Sequence, residues 1–160
     1  MIHPQALIKL FAYNAELITK QGATLSHTDS LVQLPFEGNC FNWILGHIIS
    51  SRSWALQLVG EQAVWTETQR ARYRHGSPPI RADGPGVFDL TELLQAFQQS
   101  QTRLVNGLHR MSYEMMCQPS GYRENSIGDS LGYFQFHEAH HVGQLLYLAQ
   151  CAGKAGVWLG

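Results

Sequence analysis

The amino-acid sequence predicts an all-α protein, a four-helix bundle that forms a single domain over residues 1–160. Four segments of about 17–25 residues carry apolar side chains at spacings of three and four, the pattern of amphipathic helices. No segment shows the strict alternation typical of a strand. The apolar content of 44% and the charged content of 14% are typical of a globular protein with a packed core and argue against disorder.

The first helix is predicted from about Pro4 to Lys20. Pro4 suits the first turn, because its missing N–H group has no partner to lose there. Asn14 interrupts the apolar stripe. Its amide either has a local partner at the stripe edge or points toward a polar site in the core.

The second helix is predicted from Cys40 to about Val59, with Asn39 as its N-cap. Its core face carries Phe41, Ile44, Leu45, Ile48, Ala55 and Leu58. His47 lies at the edge of this face. Alone, such a histidine is more often a hydrogen-bonded core residue than a metal ligand.

Residues 60–87 are predicted to form an irregular connection, which is long for a compact domain. This connection is rich in basic residues, namely Arg70, Arg72, His75, Arg74 and Arg81. It is either a solvated loop or a flap whose guanidinium groups recognise an anionic ligand. A nucleic-acid patch is disfavoured, because the formal net charge of the chain is −1.

The third helix is predicted from Leu90 to about Arg110, with Asp89 and Glu92 resembling a capping box. An irregular stretch over 111–125 follows. Ser126 is predicted to open the fourth helix, and Gly153 to end it.

The fourth helix contains the strongest functional signal. His137 and His141 are separated by about 40° around a helix, so both imidazoles can reach one point. This spacing predicts a divalent metal site. His47 is the best candidate for a third ligand, and His140 is the rival to His141. The alternatives are a fortuitous histidine-rich turn and a pH-sensitive core.

Residues 137–141 also match the HExxH pattern of zinc proteases, in which Glu138 would be the general base. Residues 142–160 contain no His, Asp or Glu, so the usual downstream third ligand is missing, and Cys151 is the sole downstream substitute. A protease is therefore disfavoured. Glu138 remains a tentative catalytic residue that orients an imidazole or relays protons, or else a solvated carboxylate.

Three neutral imidazoles suit Zn²⁺, Ni²⁺, Cu²⁺ or Fe²⁺ and leave at least one coordination position open. Such a site favours an anionic partner such as a thiolate or hydroxide. A structural zinc site would instead be closed by a fourth protein ligand, for which Cys40 and Cys151 are the candidates.

Two motifs resemble those of the DinB/YfiT-like superfamily of small metal-binding helical bundles. They are Trp43-Ile44-Leu45-Gly46-His47 and the segment from His137 to Gln144; Tyr13-Asn14 is a weaker match. The resemblance implies an up-down-down-up bundle with a long connection between the second and third helices. It also implies metal ligation by His47, His137 and His141, and frequent homodimers.

Some members of this superfamily resemble thiol-dependent enzymes. We therefore expect a metal-dependent enzyme, with Zn or Ni as the metal, that activates a low-molecular-weight thiol as an S-transferase or water as a hydrolase. The alternative is a non-catalytic protein that binds metal or a small molecule. Candidates for supporting the ligands or contacting substrate are Asn14, His140, Gln144, Arg72 and Arg74.

Three widely spaced cysteines form no disulfide framework, which indicates reduced thiols and a cytoplasmic location. The first ten residues lack the pattern of a signal peptide. No apolar run approaches the ~20 residues that span a bilayer. We expect a small-molecule substrate or thiol as the partner, and neither nucleic acid nor membrane.

Overall fold

The computed structural model describes residues 2–156, and helices are the only regular elements that this part of the chain forms. In chain order they are α1 (Pro4–Gly22), α2 (His27–Ser30), α3 (Phe41–Leu58), α4 (Glu67–Tyr73), α5 (Leu90–His109), α6 (Tyr113–Met116) and α7 (Ile127–Cys151). The predicted all-α fold is confirmed. Within the described residues, none of the helices is long and apolar enough to cross a membrane.

The four long helices bury a shared core. Helix α3 packs against α5 and α7, and α1 packs against the same two helices. Fourteen of the 18 residues of α3 are buried. Four of the five buried polar side chains of this helix have partners inside the protein, namely Asn42, His47, Ser50 and Arg52, as expected because an unpaired buried polar group is costly; the Ser53 hydroxyl has none among the described residues. The up-down-down-up order of the helices stays a prediction.

The predicted helix boundaries agree with the structure at most ends. Asp89 and Glu92 form the predicted capping box at α5, and the Ser126 side chain accepts a hydrogen bond from the backbone N–H of Asp129 at α7. Gly153 follows α7 with a φ of +76°, a conformation that favours glycine. The Asn39 prediction was wrong: Cys40 occupies the N-cap position of α3, and its side chain makes no capping hydrogen bond.

The connection between α3 and α5 is more ordered than its composition predicts. It contains α4, which begins after Thr66 with a capping box between Thr66 and Gln69. Helix α4 packs on α3, and the side chain of its last residue, Tyr73, is fully buried. This packing brings the end of α4 next to His47.

Candidate metal centre

Three histidines from two helices meet inside the bundle. His47 comes from α3, and His137 and His141 come from successive turns of α7. The Nε2 atom of His137 lies 3.2 Å from that of His47 and 3.1 Å from that of His141. The structure thus brings together the three residues that were predicted as ligands.

Hydrogen bonds at the far side of two rings fix their tautomers. His47 Nδ1 lies 2.9 Å from the backbone carbonyl oxygen of Tyr73, and His141 Nδ1 lies 2.6 Å from Oε1 of Gln144. An oxygen of this kind can only accept, so each Nδ1 carries the hydrogen. The Nε2 atoms of His47 and His141 therefore present lone pairs to the centre.

The donor set is compatible with a divalent metal ion. His137 can donate at most one hydrogen, so it cannot satisfy both neighbouring lone pairs. Two nitrogens that each lie about 2.0–2.1 Å from a tetrahedral zinc ion are themselves about 3.4 Å apart. The observed spacings of 3.1 and 3.2 Å are close to this value. Hydrogen bonds from Nδ1 to an oxygen are also the usual support for histidine ligands.

The electrostatics of the cluster favour neutral imidazoles. Burial, together with the smaller effect of the neighbouring histidines, lowers the pKa of His137 and of His141 to about 4. Burial also lowers the pKa of His47. All three rings are therefore uncharged at neutral pH, the form in which histidine binds a metal.

Aromatic rings hold two of the imidazoles in place. The ring of Trp43 stacks on His47 with centroids 4.9 Å apart and an interplanar angle of 10°. The ring of Tyr133 lies over His137 at 6.2 Å and 26°. Both contacts follow from the four-residue spacing along a helix, which puts the two rings on one face.

Gly46 allows α4 to reach His47. A Cβ atom at position 46 would lie 2.1 Å from Cδ1 of Tyr73, so any side chain there would overlap the tyrosine ring. The Tyr73 hydroxyl donates to Oδ1 of Asn42 and accepts from the backbone N–H of Phe88, so the ring has little freedom to move. The glycine before His47 is thus required for the carbonyl that fixes the histidine.

Replacing Gly46 by alanine is expected to lower the free energy of unfolding by about 1–3 kcal/mol, the usual cost of overpacking. It should also weaken zinc binding by about 10–100-fold, because the Tyr73 carbonyl that supports His47 is displaced. Urea denaturation and a zinc competition titration measure the two effects. Gly143→Ala in α7 is the control, since a Cβ there would meet nothing within 4 Å. Equal behaviour of the two variants would contradict this role of Gly46.

Glu138 is not a solvated carboxylate. A general base would face the histidines, whereas Glu138 faces Arg52. Its oxygens accept from Nε and Nη2 of Arg52 at 2.6 and 2.9 Å, and each of the two residues is 2% exposed. Arg52 also donates to Ser100 Oγ and Gln101 Oε1 in α5. The ion pair thus joins three helices through the guanidinium of Arg52, and the carboxylate is not part of the histidine group.

The other predicted polar residues have distinct surroundings. Asn14 is buried with its Nδ2 atom 3.5 Å from the carbonyl oxygen of Gln135 in α7, so its partner is not local. His140 is exposed and lies outside the three-histidine group. Gln144 supports His141.

The arginines of the connection separate into two groups. Arg72 donates to the carbonyl oxygen of Pro78 and does not line the cavity beside the histidines. Arg74 does line this cavity, which has a volume of about 520 Å³ and reaches His47 and His137. The segment before α7 contributes Arg123, which the sequence analysis did not single out.

None of the cysteines joins the histidine group in the described part of the chain. A fourth protein ligand from Cys40 or Cys151 is therefore not in place, and the cavity beside the rings is open to a small molecule. The fold and the site together define an all-helical protein with a three-histidine cluster compatible with a divalent metal.

The match to known families agrees with this class. A family model described as the DinB superfamily matches residues 23–145, a span that includes all three histidines. The chain belongs to the DinB superfamily. No curated protein matches it.

Proposed function

We propose that the protein holds one divalent metal ion, zinc or nickel, through His47, His137 and His141, and that it activates a low-molecular-weight thiol there. The observation that carries this proposal is the convergence of three Nε2 atoms, two of which have lone pairs fixed by hydrogen bonds to Tyr73 and Gln144. Neighbouring lone pairs without enough hydrogens between them are stabilised by a cation.

A divalent ion bound to three neutral imidazoles keeps its full positive charge and lowers the pKa of a thiol or a water molecule that coordinates it. The chain supplies the rest of the site. Trp43 and Tyr133 keep the rings of His47 and His137 in position, and the cavity beside them admits a small molecule.

The position of Glu138 favours a thiol over water as the activated group. Hydrolysis would benefit from a general base next to the histidines. Glu138 was the candidate for this task, and both of its oxygens are bound by the buried guanidinium of Arg52. A thiol needs less help, because a coordinated thiol loses its proton outright.

The second candidate is a protein that binds metal or a small molecule without turnover. The lining of the cavity favours it, since no Asp or Glu is among the described residues that line the space beside His47 and His137. Both candidates share the metal site and differ in whether a bound thiol is transferred to an electrophile.

A thermal-shift comparison tests the proposal. N-acetylcysteine is expected to raise the unfolding temperature of the zinc-loaded protein, because a ligand that binds the folded state stabilises it. N-acetylserine, which replaces the thiol by a hydroxyl, should have little effect. The two compounds carry the same carboxylate, so they should act equally on the metal-free protein. Equal shifts with both compounds on the zinc-loaded protein, or a preference for N-acetylcysteine without metal, would contradict thiol coordination.

A homodimer and a cytoplasmic location stay proposals for this chain. Exposed aromatic side chains support a contact between subunits: Tyr13 of α1 is 52% exposed, and Phe136 and Tyr147 of α7 are 68% and 67% exposed. Large exposed apolar side chains are candidates for an interaction surface where they form one patch.

A further inference from the structure

We infer that the cavity beside the three histidines binds a small organic anion with a ring-sized apolar body, held at its charged end by Arg74 and Arg123. This inference adds the chemical class of the bound molecule to the proposed function. It rests on that function in one respect, namely that the molecule in the cavity is the thiol or the acceptor of the thiol.

The first step concerns the hydrogen-bond partners of the arginines. Six of the eight arginines donate hydrogen bonds to protein oxygens: Arg52, Arg70, Arg72, Arg81, Arg103 and Arg110. Within residues 2–156, the side chain of Arg74 has neither a hydrogen bond nor an ion pair. Arg123 has no ion pair there; its guanidinium contacts the rings of Tyr122 and Tyr133 and has one hydrogen-bond partner, the side chain of Tyr122. Both of these arginines line this one cavity.

The second step concerns charge. His75 also lines the cavity, and no carboxylate from the described part of the chain does. Two guanidinium groups without a counter-charge create a positive potential at the opening of a pocket. Arginine forms strong paired hydrogen bonds with carboxylate and phosphate groups, so the guanidinium N–H groups without a protein partner fit an anion.

The third step concerns shape. Aromatic side chains form much of the remaining wall, namely Trp54, Tyr122, Tyr133 and Phe134. Trp54 is 54% exposed, although such a large ring is usually covered in a monomer. The volume of about 520 Å³ lies within the range of about 300–1,000 Å³ that is usual for small-molecule sites. A flat apolar group can therefore stack in the cavity.

The fourth step links the anion site to the histidines. Arg74 directly follows Tyr73, whose carbonyl oxygen accepts a hydrogen bond from His47. The end of α4 therefore fixes both the imidazole of His47 and the position of Arg74. Arg123 and Glu124 have φ angles of 49° and 57°, which are uncommon for residues other than glycine and recur at ligand sites. A molecule bound by both arginines would lie next to His47 and His137.

The test compares two probes that differ only in charge, 4-(mercaptomethyl)benzoate and 4-(mercaptomethyl)benzamide. Isothermal titration into the zinc-loaded protein should show at least about tenfold tighter binding of the acid, the value of one charge-assisted hydrogen bond or more. Arg74→Gln should remove most of this preference and leave the affinity for the amide within about twofold. Arg123→Gln should act in the same direction.

Arg81→Gln is the matched control. Arg81 belongs to the same connection, is exposed, donates to Gln33 and does not line the cavity. This variant should keep the full preference for the acid. Equal binding of acid and amide, or the same loss in the Arg81 and Arg74 variants, would overturn the inference.

A metal-free comparison separates this inference from the proposed function. 4-Methylbenzoate and 4-methylbenzamide lack the thiol, so their difference in affinity for the metal-free protein depends on the arginines alone. If the protein binds no zinc but the acid is still preferred through Arg74, the anion site is supported and the proposed function fails. If zinc and N-acetylcysteine bind as expected but the acid is not preferred in either comparison, only the anion site is overturned.

Discussion

Replacing His137 by alanine is expected to weaken zinc binding by more than about 100-fold, since even the loss of a residue that only supports a ligand typically costs about 10–100-fold. His137 has the central position, with its Nε2 within 3.2 Å of both other Nε2 atoms. His47→Ala and His141→Ala should have effects of similar size. A competition titration with a chromogenic zinc chelator measures the affinities.

His140→Ala is the matched control for this series. His140 belongs to the same histidine-rich turn but is exposed and outside the three-histidine group. Its replacement should change the zinc affinity by less than about threefold, well below the effect of losing a residue that supports a ligand. A larger effect at His140 than at His47 would show that the assignment of the ligands is wrong. Circular dichroism of each variant establishes that the helices remain formed.

Replacing Glu138 by glutamine is expected to lower the free energy of unfolding by about 3–5 kcal/mol, because it leaves the guanidinium of Arg52 buried without a counter-charge. The pair is 2% exposed on both sides and lies within the core between α3, α5 and α7. Urea denaturation of the metal-free protein measures the change. The metal-free form is used so that loss of zinc cannot imitate loss of the ion pair.

Two further variants make this prediction specific. Glu16→Gln removes an exposed ion pair with Lys20, and such pairs contribute about 0–1 kcal/mol. The double variant Arg52→Met, Glu138→Leu should recover most of the stability, since apolar residues can replace a buried ion pair. If Glu138→Gln is as stable as the wild type but inactive, Glu138 would be a catalytic base, and the structural role proposed for it would be contradicted.

The sequence predicts the helices well because their signals are local. Apolar spacing and the capping residues Asp89, Ser126 and Gly153 lie within a few positions of the ends that they define. The Thr66–Gln69 capping box of α4 was an equally local signal that the composition of the connection obscured. Asn39 is a residue type that is common at N-caps, but it lies one residue before the N-cap position of α3, which Cys40 occupies.

The structure brings the three predicted histidines together, their role as metal ligands stays a prediction, and the sequence predicted what surrounds them only in part. The i and i+4 spacing of His137 and His141 can be read from the chain, and so can the position of His47 at the edge of the core face of its helix; the resemblance to the superfamily implied the same three ligands. The support for His47 could not be predicted, because it is a backbone carbonyl, which every residue has. The role of Glu138 was readable in principle: an arginine and a glutamate within two apolar helices must pair if both are buried.

The position of Arg123 in the cavity could not be predicted from the sequence. It lies in an irregular stretch with no hydrophobic periodicity. Its contact with Tyr133 of α7 brings it to the cavity, which Arg74 reaches from the end of α4. Nothing in the sequence around Arg123 distinguishes it from the six arginines that donate hydrogen bonds to protein oxygens.

X-ray absorption at the zinc edge of the zinc-loaded protein tests the central claim most directly. We expect about one zinc ion per chain with imidazole nitrogens at about 2.0–2.1 Å, and sulfur at about 2.3 Å only after a thiol is added. Sulfur in the first shell without added thiol, or a shell that lacks imidazole scattering, would contradict the three-histidine site.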